Sequence, residues 1–110
     1  MTTSDALRVL LRDALSDLEG IVEKPMSGGI QFVWKGRMLC GAMGDDFMLR
    51  IDKRRYDEWI VEDGAHAMVM AGQTLKGWIL VPQSAVEGSP ATLRKWINRA
   101  VEFVGTLPEK

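Results

Sequence analysis

Between residues 4 and 19, apolar side chains return every three or four positions: Leu7, Leu10, Leu11, Ala14, Leu15 and Leu18. That spacing draws one apolar stripe along a helix and predicts that the stripe is buried. Ser4 offers an N-cap oxygen, Asp5 suits the positive end of the helix, and Gly20 is a natural stop.

From Ile21 to Asp52 the period shortens to two. Ile30, Phe32 and Trp34 alternate with Gln31, Val33 and Lys35. Gly36 breaks the run, Met38 to Met43 resumes it, and Gly44-Asp45-Asp46 reverses it again before Phe47, Leu49 and Ile51. Three strands joined by short glycine-bearing loops predict antiparallel neighbours. A two-residue loop at Lys35-Gly36 would pair Val33 with Met38. A three-residue loop including Arg37 would pair Trp34 with Met38 and Phe32 with Cys40. The second register gathers more apolar side chains on one face and is the favoured expectation.

Residues 53–64 read as a short helix, with Tyr56, Trp59 and Ile60 on one side and Gly64 at its end. Two strands follow. The first carries Ala65, Ala67, Val69 and Ala71 on one face, and the second runs through "LKGWILVP" to Pro82, with a turn at Gly72-Gln73-Thr74. Ser89-Pro90 is a specific helix start. Leu93, Ile97, Ala100, Val101 and Val104 form that helix's buried stripe, and Gly105 is its expected cap. The predicted order is α-β-β-β-α-β-β-α. Antiparallel strands flanked by helices mean an α+β domain, here a single one over residues 1–110, and not a parallel nucleotide-binding sheet.

Composition changes this picture little. The chain has 110 residues, 46% apolar and 26% charged, which suits one core without disulfides or metal. Its net charge of −1 argues against a dedicated duplex-binding protein, whose affinity rests on neutralising many phosphates. Direct nucleic-acid binding is therefore not expected. No apolar run is long enough to span a bilayer, and charges interrupt the N-terminal apolar residues, so no membrane association is expected and a cytoplasmic location is.

Candidate chemistry is sparse. Neither GxxxxGK[ST] nor GxGxxG spacing surrounds Gly28-Gly29, and a strand follows rather than a helix, so the pair reads as a bend or bulge and not a phosphate cradle. His66 is the only histidine and has no second nitrogen or sulfur ligand beside it; Glu62 and Asp63 are merely near in sequence. Cys40 reads as a small buried residue. A Cys40–His66 pair within hydrogen-bond reach would be the one route to nucleophilic catalysis. Asp45-Asp46 and Glu62-Asp63 suit turns and helix ends. Arg50, Lys53, Arg54 and Arg55 form the densest positive cluster: a solvated helix start, or a contact for an anion or a partner. Trp34, Trp59, Trp78 and Trp96 all fit apolar faces; two of them exposed side by side would indicate a protein interface.

The segment "PMSGGIQFVWKGRMLCGAMGDDFMLRID" resembles the opening of the TfoX N-terminal domain, through Met26, Gly28, Gly29, Phe32, Gly36, Met38, Gly41 and Arg50. "MAGQTLKGWILV" is similar to a later stretch of that family through Gly72, Leu75, Gly77 and Trp78, and "FVGTLPEK" to the ending of its stand-alone members. Ser27 departs from the aromatic residue usual there. The resemblance implies a two-layer α/β arrangement like that of secretion chaperones, with these motif positions mainly structural. It also implies a link to competence and transcription regulation, weakened because the helical C-terminal domain of the two-domain regulators has no counterpart here. The expectation is a non-enzymatic regulatory or protein-interaction domain, without cofactor or metal, acting on an unidentified protein partner as a monomer or homodimer. The rival is a small-ligand or anion-binding module built on Arg50 and Lys53–Arg55.

Overall fold

A computed structural model of the chain describes residues 5–26 and 28–108. Ser4 and Ser27, read above as an N-cap and as a family departure, lie outside the described residues. Helix α1 (Asp5–Ala14) leads into strands β1 (Val22–Met26), β2 (Gly29–Trp34), β3 (Arg37–Met43) and β4 (Asp46–Arg50). A 3-10 turn (Lys53–Arg55) and helix α2 (Tyr56–Trp59) precede β5 (His66–Met70) and β6 (Gln73–Pro82). Helices α3 (Gln83–Glu87) and α4 (Pro90–Gly105) complete the order. The strands form one antiparallel six-stranded sheet, ordered β1-β2-β3-β4-β6-β5.

The α+β architecture is as expected, with two additions. β1 was not among the predicted strands, for "VEKPM" shows no apolar alternation and contains a proline. It survives as an edge strand, the place where a sheet tolerates Pro25. α3 follows Pro82 and is five residues long, too short for periodicity to reveal, yet it buries Val86. Boundaries moved as well. α1 ends at Ala14, and turns carry the chain on to Gly20 while Leu15 and Leu18 still pack inward. The helix expected over 53–64 is a 3-10 turn plus one turn of α-helix. Ser89 caps α4 as expected, its Oγ accepting from the Thr92 amide, but Gly105 lies inside the helix and Thr106 is the C-cap.

The β2–β3 register combines both alternatives. Lys35-Gly36 is a two-residue turn with φ of 55° and 78°, pairing Trp34 with Arg37 and Val33 with Met38. A bulge then inserts Leu39, and Phe32 pairs with Cys40. The favoured three-residue loop is thus wrong at the turn and right one residue further on. Left-handed φ at both turn positions follows the right-handed strand twist, which makes the shorter loop the better closure. Likewise the β5–β6 turn sits at Ala71-Gly72, one residue earlier than read.

The helices cover one face of the sheet. Two cross-strand rows, Ile30–Ala42–Phe47–Val81 and Phe32–Cys40–Leu49–Ile79, point at them and interleave with Leu7 and Leu11 of α1, Val86 of α3 and Trp96, Ile97 and Val104 of α4. Trp96 is fully buried, and truncating an aromatic of that size in a core costs about 3–5 kcal/mol. In β5 the expected inward set is reversed: Met68 is buried while Ala67 and Val69 are exposed. The strand lies at the sheet edge, beyond the cover of the helices.

Candidate functional site

Arg50 ends β4, and its strand neighbour β6 is irregular there. β5 pairs Ala67 with Ile79 but Val69 with Thr74, so Leu75, Lys76 and Gly77 have no ladder partner and bulge from the sheet. The bulge is tied back where the Ile51 amide donates to the Gly77 carbonyl at 2.9 Å. Between the bulge, the end of β4 and α4 opens a cleft of about 470 Å³, lined by Arg50, Ile51, Lys53, Thr74 to Trp78, and Phe103. The Arg50 guanidinium stands 5.8 Å from the centre of the Phe103 ring. Among the described residues it makes no ion pair or hydrogen bond. Burial, helped by the positive charge of Arg37, holds its pKa below the ordinary arginine value. Arg37 itself donates to the Pro108 carbonyl at 2.8 Å.

The positive cluster read from the sequence therefore divides. Arg50 and Lys53 face the cleft. Arg54 is held by Asp52 at 2.8 Å and Arg55 by Glu58 at 2.9 Å. Both belong to a neighbouring cleft of about 530 Å³ that also contains Trp59, Arg99 and Glu102 and shares Phe103. There Arg99 lies over the rings of Trp59 and Trp96, at 4.4 and 4.7 Å, while its Nη2 pairs with Glu62 at 2.9 Å. Lys95 donates to the same carboxylate at 2.9 Å. The hydrogen bond from Arg99, joined by that from Lys95, holds the Glu62 carboxyl below the usual carboxylate range.

Lys76 and Phe103 are the cleft residues that sequence reading missed. Gly77 was the available signal, since glycine inside a strand marks a bulge. Phe103 gave none: its position beside Arg50 depends on how α4 docks. The remaining motif positions shape turns and core. Met26, Gly28 and Gly29 flank the β1–β2 turn, where Gly28 has a left-handed φ of 83°. Gly36 and Gly72 each occupy a further two-residue turn, Phe32 is in the core, and Trp78 pairs with Arg50 at the end of the β4–β6 ladder.

Cys40 is fully buried, and burial pushes its thiol up to about 12. His66 is exposed on β5, three strands away across the sheet, or about 14 Å at the ordinary strand spacing. The two cannot form a nucleophile–base pair. Among the described residues no group of three or more His, Cys, Asp or Glu could hold a metal ion. No helix of the described residues is long and apolar enough to cross a membrane.

The sheet face away from the helices is uncovered. Strand parity places Met26, Met38, Met43, Met48, Met68 and Met70 on it, together with Val22, Val33 and Leu80 and with the polar Lys24, Gln31, Asp46 and His66. Met48 and Met68 are shielded by their neighbours, while Val22 and Met70 are about half exposed, at 49% and 54%. The tryptophans do not form an exposed pair: Trp59 and Trp96 are buried, and Trp34 and Trp78 are half-buried.

No curated protein and no solved structure matches the chain. The family model of the TfoX N-terminal domain matches residues 13–104, a span holding all six strands, α2, α3 and nearly all of α4. With this match and the expected antiparallel α+β sheet, this chain belongs to the TfoX N-terminal domain family.

Proposed function

We propose that this chain is a cytoplasmic, non-enzymatic regulatory domain that binds a protein partner through the open face of its sheet. The observation that supports this reading is the uncovered row of methionines flanked by Val22, Val33 and Leu80. Methionine is unbranched and polarisable, so a methionine-rich surface adapts to the shape of an apolar partner. An apolar face left open on a soluble domain is otherwise a liability. The test is affinity capture from the native cell with the intact chain and with a Met43→Lys, Met70→Lys double variant. The two substituted positions are partly or largely exposed, and the variant is first checked for an unchanged melting curve. The expected result is a discrete protein retained by the natural chain and lost from the variant. Equal recovery by both, recovery of DNA without protein, or no specific protein at all would overturn the reading.

A further inference from the structure

The cleft beside the β6 bulge carries an inference independent of the open face. Three cations line it, Arg50, Lys53 and Lys76, and no carboxylate does. None of the three has an ion-pair partner among the described residues. Elsewhere Arg12, Arg54, Arg55, Arg94, Lys95 and Arg99 pair with acids, while Arg8, Lys24, Lys35 and Arg37 likewise make no ion pair among the described residues. What sets the cleft apart is that three such cations share one concavity without a carboxylate, on a chain of net charge −1. Arg50 is the fixed member, because Phe103 and Trp78 limit where its guanidinium can go. A planar guanidinium with free donors recognises carboxylate or phosphate oxygens through paired hydrogen bonds. The two lysines supply mobile charge at the rim. At Gly77 the wall is bare backbone, and a Cβ there would meet Lys53 Cγ at 4.0 Å. Phe103 and Trp78 provide apolar surface for the body of a ligand.

We propose that this cleft binds a small organic anion, a carboxylate or phosphate carried on an apolar or aromatic body. Arg50 grips the anionic head, Lys53 and Lys76 neutralise it, and Phe103 and Trp78 pack against the body. A polymer of phosphates does not fit this chemistry, since its affinity needs a long stripe of cations.

The proposal is tested on the full chain by amide-detected NMR titration with phenyl phosphate, benzoate, inorganic phosphate and benzyl alcohol. Saturable shifts at residues 74–78 and 103 are expected from phenyl phosphate or benzoate. The stronger of the two identifies the head group, and either supports the site. Inorganic phosphate should bind more weakly, and benzyl alcohol not measurably. Arg50→Gln should weaken the better anion about tenfold or more, the size of a lost charge-assisted hydrogen bond. Lys76→Ala, at an exposed position that cannot threaten folding, should weaken it about two- to fivefold. Absence of saturable shifts at the cleft, unchanged affinity in both variants, or benzyl alcohol binding as well as phenyl phosphate would each overturn it. Inorganic phosphate binding as tightly as phenyl phosphate would overturn the assigned apolar body.

Discussion

Ala71 holds a φ of 53° at the first position of the β5–β6 turn, a conformation that costs a residue with a Cβ about 1–2 kcal/mol. The following Gly72, at 78°, tolerates its own angle without penalty. Asparagine before glycine suits this turn better, so Ala71→Asn should raise stability by about 0.5–1 kcal/mol in a urea melt. Gly41 is the opposite case, because its constraint is space. A Cβ there would sit 2.5 Å from the Ile30 carbonyl oxygen and 3.1 Å from Met48 Cε. Two strands would have to part, and Gly41→Ala should cost about 1–3 kcal/mol by the same measurement. The sequence announces both glycines by residue type alone; which is held by backbone angle and which by lack of room is visible only in the fold.

At the scale of elements, the turn that follows α2 is clamped to α4 by one carboxylate. Glu62 accepts from Lys95 and pairs with Arg99, which is itself stacked between Trp59 and Trp96. The folded-state pKa of Glu62 lies below its unfolded value. The clamp therefore contributes fully above about pH 4.5 and is lost as pH falls through the lower folded value. After allowing for solvent screening of this partly exposed group, Glu62→Gln should cost about 1 kcal/mol at neutral pH. The gap between variant and natural chain should narrow as pH falls from about 4.5 through the lowered folded value. A gap that stays constant across that range would show that the carboxylate charge is not what holds α2. The pairing was hidden in the sequence, since Glu62 and Arg99 are separated by two strands and α3. α4 itself was legible, because a capping serine, an N1 proline and a 3.6-residue stripe agree.

For the whole molecule, the two sheet edges are unequal. β1 carries Lys24 and Pro25, which discourage pairing with another chain. β5 exposes Val69, at 57%, and Met70 on an edge without a charge. Val69→Lys should leave folding stability within about 0.5 kcal/mol. It should also slow aggregation on heating, as followed by light scattering. Unchanged aggregation would point to the open methionine face as the sticky surface.

Local pattern by itself determined the α+β class, the antiparallel hairpins, the capped last helix and the family, because alternation, turn glycines and caps act between residues close in the chain. It did not determine β1, whose polar residues form a strand only because β2 offers an edge to pair with. Nor did it divide the positive cluster. Arg54 and Arg55 find acids within three residues, whereas the surroundings of Arg50 come from β6 and α4. That distinction belongs to the tertiary structure, since a charge's partners are decided by distance in space, and only folding brings Lys76 and Phe103 to Arg50.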